Sequence, residues 1–373
     1  MRLWRSLQTE GGVSMYTTIR NEFCLLPKSK IKAGEGINNG IFPFFTSSDI
    51  KVSSLNSYEY DDEIVVIGTG GKPSCNYVNG KFSFSTDNYA LKAKGKIEPK
   101  FLYYFLRKDG LSTLQNGFHG AGLQHISKDY ILNIEIPMFE RSKQQTIVRV
   151  LDDIHGMILA CQEQLTLLDE LIKSRFIEMF GDPVNNTKSL KLENLENLGM
   201  LKRGKSKHRP RNAPELLNGP YPLIQTGDVS NSDTYITKYT STYSEFGLKQ
   251  SKLWKKGTLC ITIAANIAET AILTFDACFP DSVVGFIPNG QITTLFIHNW
   301  FKFLQPILEE NAPSVAQKNL NVETLGKVKV IVPSLELQNE FASFVEQVDK
   351  SKFVVHSRYF LCDILTLFSS TIA

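Results

Sequence analysis

Apolar residues along this 373-residue chain follow two periods, and each predicts a different element. Runs such as IVVIGTGG at 64–71 and TLCITIAA at 258–265 are short, continuous and β-branched, the pattern of strands buried on both faces. A second pattern is helical. From Lys143 to about Phe180 no proline intervenes, and Ile147, Leu151, Ile154, Ile158, Cys161, Leu165, Leu168, Ile172 and Met179 recur at spacings of four and three, interrupted by Arg175. That spacing is a coiled-coil seam, stopped by Gly181, Asp182 and Pro183. At a rise of about 1.5 Å per residue the helix is roughly 55 Å long. A second long helix is predicted from Glu336 to about Ser369, with Phe341, Val345, Val348, Val355, Tyr359 and Cys362 on one stripe, broken by Lys352. Globular helices usually run about 10–14 residues, so two of this length favour a spacer over a compact bundle.

The strand patterns repeat. IFPFFTSSDI at 41–50 parallels PYPLIQTGDV at 220–229, pairing Pro43 with Pro222 and Asp49 with Asp228. The two β-branched runs come next, then FSTDNYAL against FPDSVVGF, aligning Asp87 with Asp281, then aromatic helical stretches near 101 and 299. ILNIEIP, ending at Pro137, matches KVKVIVP, ending at Pro333, and each leads into one long helix. The offset grows from 179 to 196, as a loop inserted in the second half would produce. Duplicated domains whose helices pack antiparallel, with the domains at opposite ends, follow from this order.

Composition adds constraints. A hydrophobic share of 42% and a charged share of 21% describe an ordinary globular chain, and a formal charge of +3 does not by itself announce a nucleic-acid binder. Cys24, Cys75, Cys161, Cys260, Cys278 and Cys362 are scattered without metal-ligand spacing, which fits reduced thiols in cytoplasm. The first residues lack a secretory apolar stretch, and Met15 is an alternative start to Met1, so residues 1–16 are expected to be disordered or a mis-assigned start. The apolar stretch from Thr258 to Phe275 contains Asn266 and Glu269 and reads as strands, not a membrane span.

Charge is local. Lys202, Arg203, Lys205, Lys207, Arg209 and Arg211 surround His208 with no acidic residue, a natural phosphate-binding loop, and Lys28, Lys30 and Lys32 hold roughly the same place in the first half. In the polar turns that follow, Thr46 and Ser47 match Gln225 and Thr226, side chains able to donate to bases or phosphates. Lys72 closes GTGGK, which reads as a tight hairpin or a close approach to phosphate. GMLKRGKS at 199–206 satisfies G-x-x-x-x-G-K-[ST], but no buried strand precedes it, and Pro210 and Pro214 break any following helix. No histidine, serine, cysteine or carboxylate constellation indicates a metal or catalytic site.

LDELIKSRFIEMFGDP at 168–183, VIVPSLELQNEFASFVEQVDK at 330–350, QKNLNVETL at 317–325 and LQHISKDYIL at 123–132 resemble segments of type I restriction-modification specificity subunits. IPMFERSKQQTI departs from that family, which usually has a second proline and a shorter run there. The resemblance implies a mixed α/β (α+β) fold of two target-recognition domains related by an internal pseudo-two-fold repeat and joined by two long antiparallel coiled-coil helices. The expected organisation is a first recognition domain at 17–139, a central helix at 140–182, a second domain at 183–333 and a distal helix at 334–373. It further implies sequence-specific binding of double-stranded DNA at a bipartite site, with two modification (methyltransferase) subunits and restriction (motor-nuclease) subunits as partners. S-adenosylmethionine, ATP and magnesium would belong to those partners, and this chain would catalyse nothing. The alternatives are a coiled-coil scaffold that does not touch DNA and a P-loop nucleotide-binding enzyme.

Overall fold

The computed structural model describes residues 16–49, 52–264, 266–310 and 320–372. The stretch expected to lie outside the fold, 1–16, is therefore outside the described residues except for Tyr16, which sits in a strand; residues 317–319 of the QKNLNVETL segment are outside them too. The chain divides into two compact units, Met1–Gln164 with Val355–Ala373, and Leu165–Val354, so each unit takes a stretch of both long helices.

The first unit contains β1 (Tyr16–Thr18), β2 (Phe23–Leu25), β3 (Phe42–Phe45), β4 (Ser53–Leu55), β5 (Tyr60–Gly68), β6 (Ser74–Phe84), β7 (Asn88–Ala93), β8 (Phe118–His119), β9 (His125–Ile126) and β10 (Glu135–Pro137). Six strands form a sheet in the order β2-β7-β5-β6-β3-β4, while β1 pairs with β10. The continuous apolar run in β5 is explained by burial on both faces. Val65 and Ile67 face Phe101, Leu102 and Leu106 of the helix Pro99–Gln115, whereas Ile64 and Val66 join Phe45, Phe82 and Phe84.

The second unit contains β11 (Leu192–Asn194), β12 (Gly199–Arg203), β13 (Leu217–Leu223), β14 (Tyr235–Ile236), β15 (Ser241–Tyr243), β16 (Leu253–Trp254), β17 (Leu259–Thr262), β18 (Thr270–Leu273), β19 (Ala277–Cys278), β20 (Val283–Pro288) and β21 (Lys329–Ile331). Its strands pair in the orders β12-β20-β17-β18-β14 and β15-β13-β19-β16, and β11 pairs with β21. β17 alternates like β5: Leu259 and Ile261 pack with Phe296, Trp300 and Phe301 of the helix Thr294–Glu310, and Cys260 packs with Trp254 and Phe279.

The repeat is visible as strand pairing. β1–β10, β2–β7 and β5–β7 are antiparallel, as are β11–β21, β12–β20 and β17–β20, and β3–β6 and β13–β19 are both parallel. What is one long strand in the first unit, β6, is two short ones in the second, β18 and β19. The match of Pro43 with Pro222 holds, since Pro43 faces Ser54 on β4 and Pro222 faces Thr242 on β15. The match of Pro137 with Pro333 does not. Pro137 pairs with Tyr16 as Ile331 pairs with Leu192, so Phe139 occupies the place of Pro333, and the IPMFERSKQQTI segment carries no extra residues.

The long helices are Arg141–Phe180, 40 residues, and Leu335–Ile372, 38 residues. The first ends at Gly181, whose φ of +77° places it in the left-handed region that favours glycine, with its N–H donating to the Ile177 carbonyl at 2.8 Å. Lys188 Nζ covers the last carbonyls, Glu178 and Met179. Along the expected seam Leu151, Ile154, Cys161 and Ile172 are buried, and Ile147, Ile158, Leu165 and Leu168 are half-buried. Beyond Ile172 the seam changes phase. Phe176 and Phe180, not Arg175 and Met179, become the fully buried positions; Phe176 stacks on Phe296, and the contacts of Phe176 with Phe341 and of Phe180 with Phe296 and Phe341 are edge-on. On the distal helix Phe341, Val345 and Val348 are buried, and Val355 and Tyr359 are half-buried. Within the second unit the two helices run antiparallel, joined by Arg175 to Glu340 at 2.8 Å and Asp169 to Lys352 at 2.5 Å. Among the described residues no helix is long and apolar enough to cross a membrane.

Candidate nucleic-acid interface

In the second unit β12 is an edge strand, and its continuation through Gly204 passes so close to the Phe279 and Pro280 carbonyls that any side chain at Gly204 would collide. The loop that follows is stitched down by its backbone. Lys207 N–H and His208 N–H donate to Gln250 Oε1 at 2.6 and 3.1 Å, and Ser251 Oγ donates to the Lys205 carbonyl at 2.8 Å. The basic side chains consequently divide into two groups. Arg211 Nη2 lies 2.6 Å from Asp281 Oδ1, and Arg209 donates to the Ser206 and His208 carbonyls with Nη2 3.7 Å from Asp281. His208 Nε2 is 3.8 Å from Glu215.

Lys202, Arg203, Lys205 and Lys207 are exposed and have no carboxylate partner among the described residues. Sequence reasoning missed a further member, Lys252. Its ammonium stands 3.5 Å from the centre of the Trp254 ring. Desolvation lowers its pKa, and repulsion from Lys202 and Lys205 lowers it further. Like charges converging without a counter-ion form a site suited to an anion. Lys252 lies 47 positions from Lys205 in the chain, so no local pattern pointed to it.

In the first unit Lys28, Lys30 and Lys32 follow β2 as the dense basic loop follows β12, and all three are exposed. Their loop is held by buried Ser29, whose hydroxyl donates to Glu59 Oε2 at 2.8 Å. Lys28 lies over the Tyr89 ring at 5.5 Å. GTGGK is the hairpin between β5 and β6, with Gly71 at φ +83° and Lys72 exposed beside it.

The polar turns are partly committed to the fold. Ser47 Oγ donates to the Asp87 carbonyl at 2.6 Å, and Thr46 is half-buried. Gln225 Nε2 donates to Ser241 Oγ at 3.2 Å, and Thr226 opens the short helix Thr226–Ser230. Arg107, on the helix Pro99–Gln115, grips Asp49 just past the first turn with two bonds of 2.6 and 3.1 Å. Lys302, on the matching helix, reaches Asp233 at 3.1 Å. The first polar turn is therefore braced by a cation from the aromatic helix of its own unit, whereas in the second unit the matching helix holds the loop before β14.

The GMLKRGKS segment forms β12 and then this irregular loop; no helix N-terminus follows its Lys205 and Ser206, so it does not make a phosphate cradle of the P-loop kind. Among the described residues no group of three or more His, Cys, Asp or Glu side chains could hold a metal ion.

A family model described as type I restriction modification DNA specificity domain matches residues 21–167 and 190–357. The chain is 24% identical over 370 residues to the type I restriction enzyme EcoDI specificity subunit of Escherichia coli, covering 90% of this chain and 81% of that one. It is 25% identical over 324 residues to the putative type I restriction enzyme specificity subunit S.HindORF215P of Haemophilus influenzae, covering 83% and 81%. Its fold is similar to the crystal structure of the type I restriction-modification system S subunit from M. genitalium, with a TM-score of 0.66 and 16% identity across 97% of each chain.

Proposed function

Because this chain belongs to the type I restriction modification DNA specificity family, whose specificity subunits are non-catalytic, we propose that it reads two stretches of duplex DNA for partner enzymes. Each repeat reads one half of a bipartite site, and the long helices set the unread gap between the halves. The observation that carries this reading is the duplication itself. The same strand pairings recur twice, and in each repeat an exposed basic loop follows the same strand, β2 or β12.

Modification subunits dock on the long helices and bring S-adenosylmethionine-dependent adenine methylation; restriction subunits bring ATP, magnesium, translocation and cleavage. Exposed apolar side chains support docking on the helices. Met157, Leu167 and Leu171 on the central helix and Phe353, Val354 and Phe360 on the distal one are between 43% and 73% exposed. The assembly works in the cytoplasm, where the six free cysteines stay reduced.

Selection from a random duplex library by the chain co-purified with its modification subunit tests the reading. Recovery of two short fixed sequences at one constant separation supports it. Recovery of a single undivided motif, or of no motif from a stable complex, contradicts it.

A further inference from the structure

Two buried glutamines make the same bonds at the same place in each repeat. Gln144 and Gln338 are each the fourth residue of a long helix, and each is wholly buried after three exposed residues. The first inward contact of both helices is thus polar, where an apolar side chain would be the simpler filling.

Gln144 Nε2 donates to the carbonyls of Lys96 and Phe139 at 3.0 and 2.9 Å, and its Oε1 accepts the Glu98 N–H at 3.0 Å. Gln338 Nε2 donates to the carbonyls of Gln291 and Pro333 at 3.2 and 3.0 Å, and its Oε1 accepts the Thr293 N–H at 2.8 Å. Each amide therefore ties the helix to two separate pieces of backbone. One is the loop that leads into the aromatic helix; the other is the short link after β10 or β21.

Apolar contacts are non-directional, so a helix held by them alone can rock. Hydrogen bonds weaken steeply once their angle closes, and a buried backbone group that loses its partner is costly. Three such bonds to two anchor points hold a helix in direction as well as in place. We infer that Gln144 and Gln338 are positioning residues that fix the direction in which each long helix leaves its recognition unit, and through it the gap the protein accepts between half-sites. This rests on the proposed function, since a gap exists only if each unit reads DNA.

Gln144→Met and Gln338→Met keep the length of the side chain and make none of the three bonds. The complex with the modification subunit is titrated with duplexes carrying the selected half-sites at the selected gap and at one base pair more or less. Discrimination between the right gap and its neighbours falls by about tenfold, as the loss of directed bonds of modest net strength allows. Binding to a duplex with one half-site stays unchanged, as does gap discrimination by Gln145→Ala, which removes an exposed neighbour bonded to the Glu98 side chain.

Should a Met variant fail to fold, Gln144→Glu and Gln338→Glu retain the acceptor and lose both donors, and the same loss of discrimination is expected. Folded variants that keep full gap discrimination overturn this inference alone. A wild-type complex that selects no divided motif overturns the functional reading, and this inference with it.

Discussion

Lys352 Nζ on the distal helix lies 2.6 Å from Asp233 Oδ2 on the loop before β14, and the same ammonium holds Asp169 of the central helix at 2.5 Å. The lysine side chain is only 5% exposed, whereas both carboxylates are nearly half exposed. Lys352 stands one step beyond Val348 on the buried stripe, where the sequence pattern reads it as a break. It is a polar junction joining both helices to the second unit's own fold.

Removing Lys352 takes the ammonium from Asp169 and leaves Asp233 with Lys302 as its remaining cation. Lys352→Met is expected to destabilise the protein by about 2–3 kcal/mol, below the cost of breaking a fully buried pair because the carboxylates keep part of their hydration. Adding Asp169→Asn to that variant is expected to recover part of the loss, since Lys352 is the cation that Asp169 holds. Urea unfolding of the two single variants and the double variant measures the coupling; purely additive losses contradict it.

Acid weakens the same region. Burial pushes the His298 imidazole down to about 3, with Lys302 disfavouring its charge further. Burial alone would raise Asp233, but Lys302 and Lys352 outweigh it and bring the carboxyl down to about 2. In the acid range both groups bind fewer protons folded than unfolded, so stability rises with pH there. His298's contribution is lost as pH falls from about 6.5 toward 3, and Asp233's from about 3.8 toward 2. Melting temperature should therefore decline steadily below pH 6.5, and His298→Gln should flatten the segment between pH 6.5 and 4. An unaltered slope would assign the loss to another group.

Phe176 touches Phe180, Phe296, Phe303 and Phe341 and is wholly buried. Phe176→Ala should cost about 3–5 kcal/mol, the usual penalty for emptying an aromatic site in a core. Half-buried Met179, the residue on the expected seam, should cost clearly less as Met179→Ala. Equal losses in thermal unfolding would restore the seam predicted by the spacing.

The exposed cations should separate into binders and braces. Replacing Lys202, Arg203, Lys205 and Lys252 with alanine should weaken DNA binding and reduce the slope of log K against log salt by about 0.9 for each phosphate left without its cation. Arg211→Ala should leave the slope unchanged, since Asp281 holds that guanidinium. A fall in slope for Arg211→Ala alone would place it on the phosphates instead.

The buried strands β5 and β17 and both helices were legible because they rest on local period, β-branched runs for the strands and heptad-like spacing up to Ile172 for the first helix; the repeat was legible from recurring segments. The phase shift to Phe176 and Phe180 was not, because it follows from the aromatic helix Thr294–Glu310, which is remote in the chain and packs against them. Lys352 was misread for a similar reason, as its partners lie 183 and 119 positions away. The basic loop was found by composition, but composition could not show that Asp281 holds Arg209 and Arg211 or that Lys252 completes the cluster. The proline match at 137 and 333 was off by two because strand register, not residue identity, sets the equivalence.

Under the proposed function, one chain reads two separated half-sites for a partner. Co-expression with its modification subunit in a host lacking adenine methylation, followed by mapping of modified adenines across the genome, tests it most directly. A divided motif with one fixed unread gap, present only when both chains are made, is the expected result. Methylation that is absent despite a stable complex, or that follows one undivided motif, would contradict it.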